Sequence, residues 1–447
     1  MSAPPLRRVP PGPRGLPVVG VLPRIWRDPL RFFEDVARRH GPVARVGLGK
    51  FTLYLLSSPE AVRYVLQENA ANYWKGAGVE MIKPVMGEGI ATSEGAAWLR
   101  QRRLLQPFFS RRRLADLVPA MRSAVEEMLL RWERKEGEVV DVAAELSGLL
   151  QTLIFRSIFG SDLAPERTAA LGEALVEVNR YVNSLVWSLL PEWLPSPRRR
   201  RFRAAMALLE EAVVGVIEAR RRDPRPEAPD LLARLLEARD DEGQGLSDRL
   251  VRDEVMTLYF AGHDTTSTAV AWTLWLLAEH PEWAERVAAE ALACGEVVGA
   301  DDLPRLEATD RVFRETLRLY PPGWLTVRTP YADDEILGFH VPKNAPLLIS
   351  QWVIHRDPTL WEDPTRFDPD RFLPERSKGR PRFAYFPFGG GQRLCIGNVF
   401  AENVVKLVAA GALRRFRFEP LPGAAPVPQP LTTLRAKHGV RLRLRRR

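Results

Sequence analysis

From Ser247 to Pro281 the sequence carries one unbroken helical pattern, with Ser247 placed to cap its start and apolar side chains on nearly every face between Val251 and Leu277. At the rise of an α-helix such a run is roughly 50 Å long. A helix that is apolar all round cannot lie on a surface, so the chain must wrap other elements about it. Helical spacing over residues 114–134, 165–179, 201–221, 231–239 and 398–414 supplies the partners. The fold expected is therefore mainly α, a helical bundle around a long central helix.

Two departures define the rest. Residues 43–56, VARVGLGKFTLYLL, are partly alternating β-branched runs around a Gly-containing turn and predict a hairpin, with little other strand before residue 320. Beyond 320 the pattern changes to short strands and irregular proline-rich segments such as 361–374, predicting a small β-rich subdomain. No Gly/Ser linker, repeat or low-complexity tract divides the 447 residues, so one domain is expected over 1–447, with a Pro-rich lead at 1–20 and a basic tail at 440–447.

Composition bounds the setting. Two cysteines a hundred residues apart, Cys294 and Cys395, imply no disulfide framework and a cytoplasmic location. The lead has no apolar core that could span a bilayer or act as a signal peptide, so no transmembrane anchor is expected. The net charge of +9 favours acidic partners, nucleic acid and an acidic redox protein alike. There is no GxGxxG or GxxxxGK[ST] loop for a nucleotide. The stretch 185–201, LVWSLLPEWLPSPRRRR, reads as an inter-helix loop whose aromatics pack down rather than as a membrane-touching patch.

Chemistry concentrates in two places. Residues 388–397, Phe-Gly-Gly-Gly-Gln-Arg-Leu-Cys-Ile-Gly, set Cys395 in a glycine loop running into a helix. Glycine admits the close approach of a flat group, and a helix N-terminus favours thiolate over thiol. Residues 261–268, Ala-Gly-His-Asp-Thr-Thr-Ser-Thr, put poor helix formers in the middle of the long helix. Thr hydroxyls bonding a carbonyl one turn back, beside Gly262, suit a local opening. A nucleophilic hydrolase is disfavoured, since only six histidines exist and none marks a partner for Cys395.

The loop resembles the haem-binding signature of the cytochromes P-450, and the helix patch is similar to that family's Ala/Gly-Gly-x-Asp/Glu-Thr-Thr element. Glu315 to Arg318 resembles its Glu-x-x-Arg, Pro369 to Phe372 its Pro-x-Arg-Phe, and Trp98 to Arg102 its Trp-x-x-x-Arg. The resemblance implies the P-450 fold, haem b ligated by Cys395 with Phe388 and Gly397 beside it, and proton handling in oxygen activation by Asp264 and Thr265. It implies a structural network of Glu315, Arg318 and Arg371, and haem carboxylates held by Trp98, Arg102, Arg393 and Arg328. His263, at a variable position, is expected to face a neighbouring helix or the pocket wall, and Arg100 and Arg103 to face solvent.

By the same resemblance the substrate pocket is lined by Met81, Ile82, Met86, Phe260, Ala261, Trp324, Leu325, Thr326 and Thr432. These segments suit a hydrophobic substrate, and the 185–201 loop, similar to those of fatty-acid hydroxylases of the family, with the elements around Tyr320 and Phe386, which resemble a carotenoid hydroxylase, implies a fatty acid, terpenoid or carotenoid. The implied partners are O2 and a separate ferredoxin or flavodoxin with its reductase, with no fused reductase, no nucleic acid and a monomeric state. A peroxide-using haem-thiolate enzyme and a non-catalytic haem sensor are the alternatives, and an intact Asp264-Thr265 pair weighs against both.

Overall fold

The computed structural model describes residues 8–160, 164–182, 196–224, 230–239 and 243–447. Contacts divide the chain into two compact units, one formed by the chain up to Glu80 with Leu317–Cys395, the other by Met81–Thr316 with Ile396–Arg447.

The second unit is helical. Its longest element, Asp248–Glu279, starts where Ser247 accepts from the Leu250 amide and ends before Pro281. Val142–Leu153, Pro197–Arg222 and Asn398–Arg415 pack around it. Within it Trp272 is buried and donates to the Leu434 carbonyl at 2.9 Å. Arg111–Glu133 begins three residues earlier than the apolar spacing indicates, because Ser110 caps a first turn made of arginines. Pro165–Val182 and Leu231–Glu237 match their expected spans to within a few residues.

The expected basic tail is corrected. Arg441–Arg446 is a strand, the middle one of a three-stranded antiparallel sheet between Val139–Asp141 and Phe416–Pro420. Its alternating Arg and Leu put Leu442 and Leu444 inside, while Arg445 and Arg446 pair with Glu419 and Glu136. The alternation outweighs the charge.

The first unit is built on a five-stranded sheet in the order Val43–Leu48, Phe51–Leu56, Leu347–Ile349, Thr326–Pro330, Tyr73–Trp74. The hairpin predicted at 43–56 is there, with Val43 opposite Leu56. The strands Tyr73–Trp74 and Val139–Asp141 are too short to show alternation and escape the sequence pattern. Of the 185–201 stretch, residues 185–195 lie outside the described residues, and Pro197 opens the helix Pro197–Arg222. Among the described residues no helix is long and apolar enough to cross a membrane.

Candidate functional site

In the first unit the glycine loop is held by its own backbone and by two aromatic anchors. Phe383 and Phe386 are buried, and the Phe386 amide donates to His355 Nε2 at 3.1 Å. Burial, with the Arg318 and Arg356 guanidiniums nearby, holds the His355 pKa well below the usual histidine value, so the ring stays neutral and can accept. The Cys395 amide donates to the Phe388 carbonyl at 3.0 Å. Gly391 takes φ +66°, and a Cβ there would strike the Leu66 carbonyl; one on Gly390 would strike the Phe383 ring. Only glycine lets the turn draw in this closely, and it leaves Cys395 exposed at the rim.

Arg318 stiffens the segment leading there. It is fully buried, donates to the carbonyls of His355, Pro364 and Arg366 at 2.8, 2.7 and 3.1 Å, and lies over Trp361. Arg371, also buried, donates to the Asp363 carbonyl at 2.9 Å. Arg328 is half-buried and bonds the Val327 carbonyl. Glu315, in the second unit, is fully buried.

In the second unit the long helix is buried without interruption from Asp253 to Ala278 except at Ala261, Gly262 and Thr265. Ala261 and Thr265 are four residues apart and share a face, so these gaps form one window on small side chains. The Thr265 hydroxyl donates to the Ala261 carbonyl at 2.7 Å. Asp264, one residue round the helix, is buried. Its carboxylate accepts from the Thr433 hydroxyl and pairs with Arg435 at 2.6 Å.

Asp264 borders a cavity of about 1440 Å³ that takes His263, Ser267 and Ala271 from the same helix but neither Ala261 nor Thr265. Asp264 thus borders the cavity and is the chain neighbour of the window residue Thr265. His263 is buried, with Nε2 3.0 Å from the Ser147 carbonyl oxygen on Val142–Leu153, and burial lowers its pKa. It faces a neighbouring helix, as its variable position suggested.

The remaining expected residues belong to both units. Trp98 is buried, and Arg102 is half-buried with Nε donating to Gln106. Arg103 is exposed, but Arg100 is not the solvent-facing residue expected: it reaches back to the Gln244 and Gly245 carbonyls. Of the pocket residues, Met86 and Phe260 are buried in the second unit, Ile82 is half-buried, and Met81 and Thr432 are exposed. Trp324 is buried against Phe33, Leu325 is half-buried, and Thr326 accepts from Gln351. None of them borders the 1440 Å³ cavity. Loop 87–90 is tied to the long helix, the Glu88 and Ile90 amides donating to Asp253 and Glu254 at 2.9 and 3.0 Å. Burial pushes the Glu254 pKa up to about 7.

Residues 10–442 match the family model of Cytochrome P450. The chain belongs to the cytochrome P450 family. P450 relatives include "Cyclooctatin synthase" of Streptomyces melanosporofaciens, 37% identical over 95% of this chain and 93% of the relative. "Pentalenene oxygenase" of Streptomyces avermitilis is 32% identical over 97% and 96%. Among solved P450 structures, the cytochrome P450DA heme domain superposes with a TM-score of 0.90 at 28% identity, covering 99% of this chain and 98% of that one. Retinoic acid-bound cyanobacterial CYP120A1 gives 0.88, also at 28% identity, over 99% and 100%.

Membership makes the protein a haem b monooxygenase, an oxidoreductase whose iron is ligated by a cysteine thiolate and which uses O2, reducing equivalents and a hydrophobic substrate. The residues present fit that group. An exposed cysteine ends a glycine turn of the first unit drawn in so closely that a Cβ on Gly390 or Gly391 would collide with the Phe383 ring or the Leu66 carbonyl.

Arg435 is the Asp264 partner that sequence reasoning missed, and Thr433, the last residue of the 431–433 segment expected to line the pocket, is its other partner, whereas the neighbouring Thr432 is exposed. The strand Leu434–Ala436 is three residues long, so no periodicity marks which side chain turns inward.

Proposed function

We propose that this P450 hydroxylates or epoxidises a terpenoid, with Cys395 as the thiolate ligand and Asp264 and Thr265 as the proton-handling pair. When bound, thiolate-ligated haem supplies reductive activation of O2, the sulfur donating electron density that favours O–O cleavage. The chain's own residues supply the rest. Phe388 and the glycine turn hold the Cys395 backbone, and Arg393 with Arg102, Trp98 and Arg328 bind the carboxylates. The Thr265 hydroxyl holds a proton at Oγ1 on the open face. The Asp264 carboxylate, once it leaves Arg435, carries protons from the cavity side toward that hydroxyl.

The observation that carries this reading is the single window at Ala261, Gly262 and Thr265 beside an acid that borders a cavity. Terpenoid is preferred to fatty acid or carotenoid because relatives of near-equal length are named for pentalenene and cyclooctat-9-en-7-ol. The net charge of +9 suits a separate acidic ferredoxin or flavodoxin as electron donor.

Titration of the ferric holoprotein with polycyclic terpene hydrocarbons and alcohols should shift the Soret band from low to high spin, while fatty acids of equal carbon number leave it unmoved. A shift with fatty acids alone overturns the substrate class. With a terpenoid that gives the shift, Thr265→Ala should lower product formation by about a hundredfold. Oxygen consumption should stay near the parent's, the balance appearing as peroxide. Unchanged coupling overturns the assignment of Thr265.

A further inference from the structure

In the second unit the loop 86–93 is fastened to the long helix near its start. The Glu88 amide donates to the buried Asp253 carboxylate at 2.9 Å, the Ile90 amide to the buried Glu254 carboxylate at 3.0 Å, and the Thr257 hydroxyl to the Met86 carbonyl at 3.3 Å. Asp253 and Thr257 are four residues apart and share a face, and the loop crosses that face on two glycines. A Cβ on Gly87, which takes φ +59°, would strike the Asp253 carboxylate, and one on Gly89 the Thr257 hydroxyl. The loop is also tied to itself and its flank. The Thr92 hydroxyl donates to the Gly87 carbonyl at 2.6 Å, and the Gln101 side-chain amide to the Glu88 carbonyl at 2.8 Å.

The two acids differ in what surrounds them. Asp253 has a cation, Arg252 at 2.8 Å, which also pairs with Glu210 at 3.1 Å. Glu254 is fully buried; its Oε2 takes the Ile90 amide, and its Oε1 is buried with no hydrogen-bond partner among the described residues. Charges on the elements packed against this part of the helix are engaged elsewhere. Lys83, on Lys83–Met86, reaches Glu88 at 3.3 Å, and Arg100, on Gly95–Leu105, donates to the Gln244 and Gly245 carbonyls. On Pro197–Arg222, Arg220 pairs with Asp230 and Arg221 with Asp248; on Leu231–Glu237, Arg234 pairs with Glu237. Burial raises the Glu254 pKa, the Ile90 amide opposes the rise and the Asp253 charge adds to it, leaving it at about 7 instead of 4.5. A carboxyl so placed keeps its proton well past the pH at which a solvated glutamate has lost it.

We propose that Glu254 is a proton-operated clasp: protonated, it seats the loop 86–93 on the long helix; ionised, it lets go of the Ile90 amide and turns to water, leaving the loop on Asp253 and Thr257. The released state gives up its proton first, so the hold is complete below pH 4.5, weakens as pH rises, and reaches its floor above about pH 7. The clasp stands on the loop and the helix alone. Its consequence for catalysis rests on the reading of Met86 as a pocket residue: substrate binds more tightly on the acid side.

The test is amide hydrogen exchange of the holoprotein between pH 5 and pH 8, read by mass spectrometry and expressed as protection relative to the intrinsic rate at each pH. Protection over 86–93 should fall by about fiftyfold from pH 5 to pH 8. The helix Val142–Leu153, whose Ser147 meets His263, should keep its protection, which separates the clasp from titration of that histidine and from general loosening. Glu254→Gln keeps an acceptor for the Ile90 amide and cannot ionise, so it should hold the parent's pH 5 protection throughout. Glu254→Ala should show low protection at both ends of the range. Protection over 86–93 that does not change with pH in the parent, or that falls equally in Glu254→Gln, overturns the proposal. The parent's own profile decides the matter if a variant loses its haem. In Soret titrations with a terpenoid that gives the spin shift, the parent's Kd should rise with pH and that of Glu254→Gln should not. If exchange follows pH and Kd does not, the clasp stands and the placing of Met86 in the pocket falls.

Discussion

Cys395→Ser is expected to give a protein of unchanged helical content that has lost the red-shifted carbonyl band of thiolate-ligated haem and, with it, monooxygenase turnover. The sequence holds two cysteines, and the structure separates them. Cys294 is half-buried, its Sγ donates to the Glu290 carbonyl at 3.3 Å, and burial pushes its thiol pKa up, all of which favour a protonated, inert side chain. Cys395 is exposed at the end of a backbone-locked turn. Ser differs from Cys by one atom and leaves the bond from the residue 395 amide to Phe388 in place, so the turn should survive while the soft anionic donor is lost. Cys294→Ser should leave both band and turnover at the parent's level. Retention of the thiolate band by the Cys395→Ser holoprotein would remove the ligand assignment, and its loss from the Cys294→Ser protein would transfer the assignment to Cys294.

The sequence discloses most where one physical demand dominates a long stretch. Asp248–Glu279 is legible to within a residue or two because a fully buried helix must be apolar on every side and Ser247 is a strong cap. The cysteine loop is legible because three adjacent glycines before a cysteine have few other uses, and Gly390 and Gly391 prove to be positions where a Cβ would collide. Legibility fails where spatial partners decide. The residues 441–446 read as a solvated basic tail, yet their Arg/Leu alternation fits the centre of a sheet, with arginines neutralised by acids far away in sequence. Charge describes a side chain, whereas period describes the backbone, and here the period governs.

The candidate site shows the same division. Asp264 is identifiable by its place in a helix that should be apolar, but its partners Thr433 and Arg435 are some 170 residues away and lie at a strand of three residues. Short strands carry no usable alternation, so one residue of register separates Thr433, which meets the carboxylate, from the exposed Thr432. The pair with Arg435 also qualifies the relay inferred from sequence alone. In the relay proposed above, the Asp264 carboxylate, held 2.6 Å from the Arg435 guanidinium, parts from it before it carries a proton.

Arg318→Ala should be the most damaging change outside the cysteine loop, and the reason lies in what it abandons. One fully buried guanidinium satisfies the carbonyls of His355, Pro364 and Arg366, in a segment of turns that has few ladder hydrogen bonds of its own. Removing it strands those carbonyls away from water and strips the cation from the face of Trp361. The expected cost is about 4 kcal/mol, a large share of the ~5–15 kcal/mol that holds a typical protein folded. Arg318→Lys keeps the charge but cannot fork to three carbonyls, so its melting temperature should fall between those of the parent and the Ala protein. Arg314→Ala is the control: that side chain is half-exposed, pairs with Asp310 one helical turn away, and should cost no more than about 0.5 kcal/mol. Thermal unfolding of the three variants, read together with the haem retained after gel filtration, distinguishes the outcomes. If Arg318→Ala melts with the parent and keeps its haem, the carbonyls it serves are satisfied by other donors, and the segment before Cys395 is held by Arg371 and the Phe383–Phe386 anchors instead.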